Sequence, residues 1–102
     1  MSALRQQLDA DGATIWRLVD GMRWRAWEGE AVAYNDRTGD THHFADFAAW
    51  IFARLCAGPA SAEDLERDAA ESVELASGAS IADTVERTLA LLRRLEMIEP
   101  AA

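Results

Sequence analysis

The hydrophobic pattern changes its period once, at Phe44, and this change limits the folds that the chain can adopt. Residues 14–44 consist of short segments rich in Trp, Val, Ile and Thr, separated by Gly-containing turns, a pattern typical of β-strands. After Phe44 the apolar residues recur every three or four positions, which is typical of amphipathic helices. The sequence therefore predicts an α+β domain in which a sheet precedes the helices and is covered by them on one face.

Three segments, MRWRAW, EAVAYN and DTHHF, predict a three-stranded antiparallel meander over residues 22–44. A tight turn is expected at residues 28–29, and NDRTGD predicts a longer loop in which Gly39 has a positive φ. The preceding segment TIWRLV can form a fourth strand or an extended lead-in, and its pattern leaves both open. Trp24 and Trp27 lie on opposite faces of one strand, so we expect one of them to be exposed.

Gly58-Pro59 and Gly78 divide the rest of the chain into three predicted helices, FAAWIFARLCA, SAEDLERDAAESVEL and IADTVERTLALLRRLEMI. Asp46, Ser61 and Ser80 are the predicted N-caps, and each serine is followed three positions later by an aspartate that can complete a capping box. The residues expected to face the core are Phe47, Ile51 and Leu55 in the first helix, Leu65, Ala69 and Val73 in the second, and Ile81, Val85, Leu89, Leu92 and Leu95 in the third.

Length and charge narrow the class of function. The 102 residues predict one domain at 14–99, with an N-terminal extension at 1–13 and a short tail at 100–102. With 18 acidic and 10 basic residues the net charge is −8, which disfavours nucleic acid and anionic membranes as partners. Every base is arginine, so Schiff-base chemistry and a P-loop lysine are excluded.

Cysteine content and hydropathy indicate the compartment. The lone Cys56 cannot form an internal disulfide, which fits a reducing environment. The longest apolar run, FAAWIFA, is far shorter than the ~20 residues of a membrane-spanning helix. We therefore expect a soluble, cytoplasmic protein.

The pair His42-His43 raises the question of a metal site or a catalytic site. Adjacent residues on a strand point to opposite faces, so the two imidazoles cannot readily share a metal ion, and no Cys or Glu-x-x-His motif completes a site. We therefore expect no catalytic residue, no metal and no cofactor. His42 shares a face with Phe44 and is expected to lean toward the helices, whereas His43 is expected to face outward or to meet a bound peptide.

The last strand of a meander is an edge strand, so DTHHF is expected to present unpaired backbone groups. An edge strand beside a helix groove is a common receptor for an extended peptide. The same edge could pair with a second copy of the chain, so a homodimer is also considered.

The run from WRLVDG through WEGE, TGDTHHF and the apolar first helix, with the ending LLRRLEMIEP, resembles the PqqD-like family of peptide chaperones, also called RiPP recognition elements. The resemblance covers about residues 16–99. The sequence is especially similar to the PqqD-type members of bacterial cassettes with an HPr-kinase-related protein, in which T-G-D-T-H precedes two apolar residues. His43 departs from that pattern, because a leucine is usual there.

The resemblance implies a winged-helix-like domain without catalytic activity. Such domains bind the leader segment of a ribosomally made precursor peptide and present it to a modifying enzyme. The leader adds as a strand beside the third strand and lies against the third helix. Carried over by position, the peptide-binding residues are Thr41, His42, His43, Phe44, Ile81, Thr84, Val85 and Thr88.

Two alternatives share this fold. A winged helix can bind DNA through its third helix, which would make the chain a transcriptional regulator. Charge argues against this alternative, because residues 61–86 contain one arginine, Arg67, and a net charge of −7 where a DNA-binding protein would be basic. The acids in this range are Glu63, Asp64, Glu66, Asp68, Glu71, Glu74, Asp83 and Glu86. A protein–protein adaptor that binds no peptide stays open as the second alternative.

Overall fold

The structure is a computed structural model that describes residues 14–72 and 80–101. Its elements are β1 Ile15–Leu18, β2 Met22–Trp27, β3 Glu30–Asn35, β4 Asp40–Ala45, α1 Asp46–Ala57, β5 Ala60–Ser61, α2 Ala62–Ser72, α3 Ile81–Arg94 and β6 Ile98–Pro100. The predicted α+β class, with a three-stranded meander followed by three helices, is confirmed. The predictions for residues 1–13, Val73 and Gly78 fall outside the described residues.

The meander is an antiparallel sheet in the order β2-β3-β4. Strands β2 and β3 are joined by a two-residue turn in which Gly29 has φ 72°, and the loop between β3 and β4 contains Gly39 at φ 78°. Both values lie in the left-handed region that glycine adopts without strain, so the predicted positive φ of Gly39 is confirmed.

The segment TIWRLV forms β1, but this strand does not extend the meander. It is the central strand of a second sheet, in the order β5-β1-β6, with Ile15 opposite Ser61 and Leu18 opposite Ile98. An ion pair between Arg17 and Glu99 joins β1 to β6. Strands as short as β5 and β6 carry no readable periodicity, so the sequence could not reveal the partners of β1.

The predicted capping box is confirmed at α2, and the predicted N-cap Ser80 is confirmed at α3. At α2 the backbone N–H of Asp64 donates to Ser61 Oγ at 3.1 Å, and the N–H of Ser61 donates to the Asp64 carboxylate at 3.1 Å. At α3 the N–H of Asp83 donates to Ser80 Oγ at 3.2 Å. These contacts satisfy backbone donors that the first turn of a helix leaves unpaired.

The predicted cap of α1 is wrong. The N-cap residue is Ala45, which makes no side-chain cap, and Asp46 is already the first helical residue, with φ 56°. The chain passes from β4 into α1 without a loop, and the N–H of Asp46 donates to the carbonyl of Gly29 at 2.9 Å. The sheet ladder thus fixes this helix start in place of a side-chain cap.

The core lies between the inner face of the meander and the three helices. Ala31 and Ala33 are fully buried, and their small side chains let α1 pack closely on β3. Phe44 stacks on Phe52 with ring centroids 5.6 Å apart. Buried as predicted are Ile51, Leu55, Leu65, Ala69, Val85, Leu89 and Leu92, while Phe47, Ile81 and Leu95 are half-buried.

The two tryptophans of β2 differ from expectation, because both are 48% exposed. The helix α1 packs on β3 and β4, so β2 extends beyond the covered part of the sheet. Trp24 makes an edge-to-face contact with Phe52 of the core, with ring centroids 6.2 Å apart. In the part of the chain that the structure describes, no helix has the length and hydropathy to cross a membrane.

Candidate functional site

Strand β4 is an edge of the meander, because among the described strands it pairs with β3 alone. In an antiparallel pair, residues alternate between pairs that exchange both backbone hydrogen bonds and pairs that exchange none. The Asp46 N–H donates to the Gly29 carbonyl, so these two residues form a hydrogen-bonded pair. They lie one position beyond the pair of Glu30 and Ala45. The alternation then directs the N–H and C=O groups of His42 toward β3 and those of its two neighbours away from it.

The pairing of β3 with β2 leads independently to the same orientation of the β4 backbone groups. The N–H of Asp36 donates to the carbonyl of Gly21 at 3.1 Å, one register step beyond the pair of Met22 and Asn35. The alternation therefore directs Tyr34 toward β2 and leaves Ala33 to pair with β4. Both ladders agree that Thr41 and His43 turn their backbone N–H and C=O groups toward the open edge.

The side chains of β4 divide between the two faces of the sheet. His42 and Phe44 lie on the inner face, where their rings stack with centroids 6.4 Å apart. Phe44 is buried and His42 is half-buried, as the alternation predicts. Thr41 and His43 are exposed on the outer face. Thr41 and His43 thus present backbone groups at the edge, whereas His42 and Phe44 present side chains on the inner face.

His43 has a cross-strand partner that the sequence did not reveal. Its Nε2 lies 2.7 Å from Oε1 of Glu30, and both side chains are about half exposed. The two residues are diagonal neighbours on the outer face, which follows only from the register of β3 against β4. Within residues 14–72 and 80–101 no group of three or more His, Cys, Asp or Glu side chains could hold a metal ion.

The predicted residues of the third helix lie on α3, which packs on α1, as β4 also does. Ile81 and Thr84 are half-buried, whereas Val85 and Thr88 are buried. The hydroxyl of Thr84 donates to the Ser80 carbonyl at 2.8 Å, and that of Thr88 donates to the Thr84 carbonyl at 2.9 Å. Both hydroxyl protons are therefore used inside the helix.

The structure brings part of the predicted set together. Phe44 and Val85 belong to one continuous core, so β4 and α3 share a hydrophobic floor. The two elements do not pack extensively on each other, and both rest on α1. Ile81 packs against the edge of this core, whereas the side chains of Thr41 and His43 lie on the opposite face of the sheet.

Sequence reasoning missed Asn35, which is fully buried where β3 ends. Its Nδ2 donates to the Glu96 carbonyl at 3.0 Å, and its Oδ1 accepts from the Arg37 N–H at 2.8 Å. This amide joins the β3–β4 loop to the segment between α3 and β6. An Asn before a loop is an ordinary turn residue, so only its long-range partner identifies this role.

Two groups have shifted pKa values. Burial raises the pKa of the Cys56 thiol to about 12, so this thiol stays protonated near neutral pH and is a poor nucleophile. The backbone N–H of Ser61 and the guanidinium of Arg67 lower the pKa of Asp64 below its usual value. The first shift follows from burial and the second from contacts at the start of α2, and neither group lies on β4 or α3.

The fold and this edge define a class: small α+β domains in which a three-stranded meander leads from its last strand into three helices. No protein-family model matches the chain, and no curated protein matches it. A solved structure, TbiB1 in complex with the TbiA(beta) leader peptide, matches with a TM-score of 0.71 and 16% sequence identity. The match covers 84% of this chain and 98% of that chain, so the two share a fold.

Proposed function

We propose that this chain is a cytoplasmic, non-catalytic member of the RiPP recognition elements. It binds the leader segment of a ribosomally made precursor peptide and presents it to a modifying enzyme. The observation that carries the proposal is the edge of β4, which among the described strands pairs with β3 alone and where Thr41 and His43 turn their backbone groups away from β3. The fold shared with TbiB1, which was solved with a leader peptide, supports it.

Backbone pairing would supply affinity that depends little on the peptide's sequence. A leader strand beside β4 meets the N–H and C=O groups of Thr41 and His43, which is the usual mode of strand addition to a sheet edge. Alternate side chains of that strand then point to the two faces of the sheet.

Selectivity would come from the inner face. Every second peptide side chain there points toward His42 on β4 and toward Ile81 and Thr84 on α3, which are half-buried. Phe44 and Val85 are buried and form the floor beneath them. Thr88 is 8% exposed, so its contribution is to the shape of α3.

The test is a titration of the ¹⁵N-labelled chain with the leader segment of the precursor peptide encoded beside its gene. We expect amide shifts at residues 41–45 and along residues 81–88, and none with a scrambled peptide of the same composition. Absence of shifts in both regions at saturating peptide would refute this site. Measured rates of the modifying enzyme with and without the chain then test presentation.

Two further measurements separate the alternatives. Salt-sensitive binding of duplex DNA at physiological ionic strength would favour a regulator. A homodimer that uses the β4 edge would dissociate on addition of the leader peptide, which sedimentation velocity can follow. An adaptor would bind the enzyme with no response to the leader.

A further inference from the structure

One side chain at the β4 edge is left with an unmet hydrogen-bonding atom. His42 is half-buried, and its Nε2, which solvent does not reach, has no hydrogen-bond partner among the residues that the structure describes. Native proteins leave few such atoms unpaired, because burying an unpaired polar atom is unfavourable. The adjacent His43 differs, because its Nε2 contacts Glu30 at 2.7 Å.

The register determines what would lie beside His42 when a strand is added. Thr41 and His43 provide the outward backbone groups, so in an antiparallel addition His42 falls in the pair that exchanges no backbone hydrogen bonds. Side chains approach most closely in such pairs, with Cβ atoms ~4.5–5.5 Å apart. The peptide side chain opposite His42 therefore lies on the inner face beside the imidazole. The ring has no hydrogen bond from Nε2 to lose when it turns toward that side chain.

We propose that His42 is a specificity-determining residue that selects a hydroxyl or amide side chain at the peptide position directly opposite it. This inference rests on the proposed function. A hydroxyl or amide can donate to or accept from an imidazole nitrogen, whereas an aliphatic side chain would leave Nε2 unpaired. A carboxylate is disfavoured, because Asp40 precedes His42 on the same face and the chain carries a net charge of −8.

The test begins with a displayed library of random 12-residue peptides selected on the wild-type chain. Binders that shift the amides of residues 41–45 are kept, and nuclear Overhauser contacts to the His42 ring identify the opposing peptide position. That position is then made Thr or Val, which have nearly the same shape. We expect the wild-type chain to bind the Thr peptide about 5-fold more tightly than the Val peptide, which is the difference that one hydrogen bond makes.

Variants assign this preference to the imidazole. In His42→Phe, and in His42→Leu if the first variant folds poorly, we expect the Thr-to-Val ratio to fall to about 1, with a melting temperature equal to or above that of the wild type. His43→Phe can change the overall affinity but should keep the ratio. A ratio that persists in the His42 variants overturns the inference.

Failure of the inference and failure of the function give different results. Peptides that shift residues 41–45 but show no preference for Thr over Val in the wild-type chain overturn the role of His42 alone. A library that yields no peptide acting on β4 overturns the proposed function, and the role of His42 with it.

Discussion

Replacing His43 by proline would remove a backbone N–H that points away from β3, so the sheet would lose no ladder hydrogen bond. Proline is tolerated at such positions of edge strands, and the residue before it is kept in the extended region that His42 already occupies. The lost contact with Glu30 joins two half-exposed side chains, so it is worth about 0–1 kcal/mol. We therefore expect a small loss in the free energy of unfolding, of about 1 kcal/mol.

Peptide binding should respond much more strongly. The variant loses one hydrogen bond to the added strand, worth about 0.5–1.5 kcal/mol, and its ring projects into the space that the peptide backbone would occupy. We expect affinity to fall by about 10-fold or more. Fluorescence anisotropy of a labelled leader peptide measures this loss, and urea unfolding followed by tryptophan fluorescence measures stability.

Two companion variants make the comparison decisive. His43→Ala keeps the amide, so its difference from the proline variant isolates the backbone contribution. His42→Pro removes an N–H that donates to β3 and leaves a carbonyl of the buried Ala33 unpaired, so it should lose about 1–3 kcal/mol of stability. If proline at 43 binds the leader as tightly as alanine does, the reasoning from the β4 edge is refuted.

Three other predictions concern parts of the chain away from the peptide. Asn35→Ala should lower the free energy of unfolding by about 2–3 kcal/mol in urea, because a fully buried amide loses bonds to Glu96 and Arg37, and a loss below about 0.5 kcal/mol would contradict this role. The pKa of Asp64 is lowered from 3.8 in the folded chain, so its contribution to stability is present above that pH and is lost as the pH falls through the folded pKa. Asp64→Asn should therefore weaken the acid-side dependence of the melting temperature, and an unchanged profile would argue against the cap. With a pKa of about 12, Cys56 should react with a disulfide reagent at pH 8 far more slowly in the folded chain than in urea, and equal rates would be inconsistent with its burial.

The parts of the fold that depend on neighbouring residues could be read from the sequence. The glycine turns and the serine caps depend on residues two to three positions apart, and each strand of the meander is a segment of six residues. The positions of Leu65, Val85 and Leu92 in the core follow from helical spacing in the same way. Asp46 shows where such reasoning fails, because a residue typical of N-caps stands where the sheet ladder already fixes the helix start.

The sequence by itself determined that a sheet precedes three helices and that DTHHF closes the meander, because hydrophobic period and turn residues are local properties. Only the tertiary structure decided that β1 joins β5 and β6, since strands of two and three residues carry no signal of their own. It also decided which backbone groups of β4 face the open edge and that Nε2 of His42 is buried. Both depend on register and on packing between residues far apart in the chain.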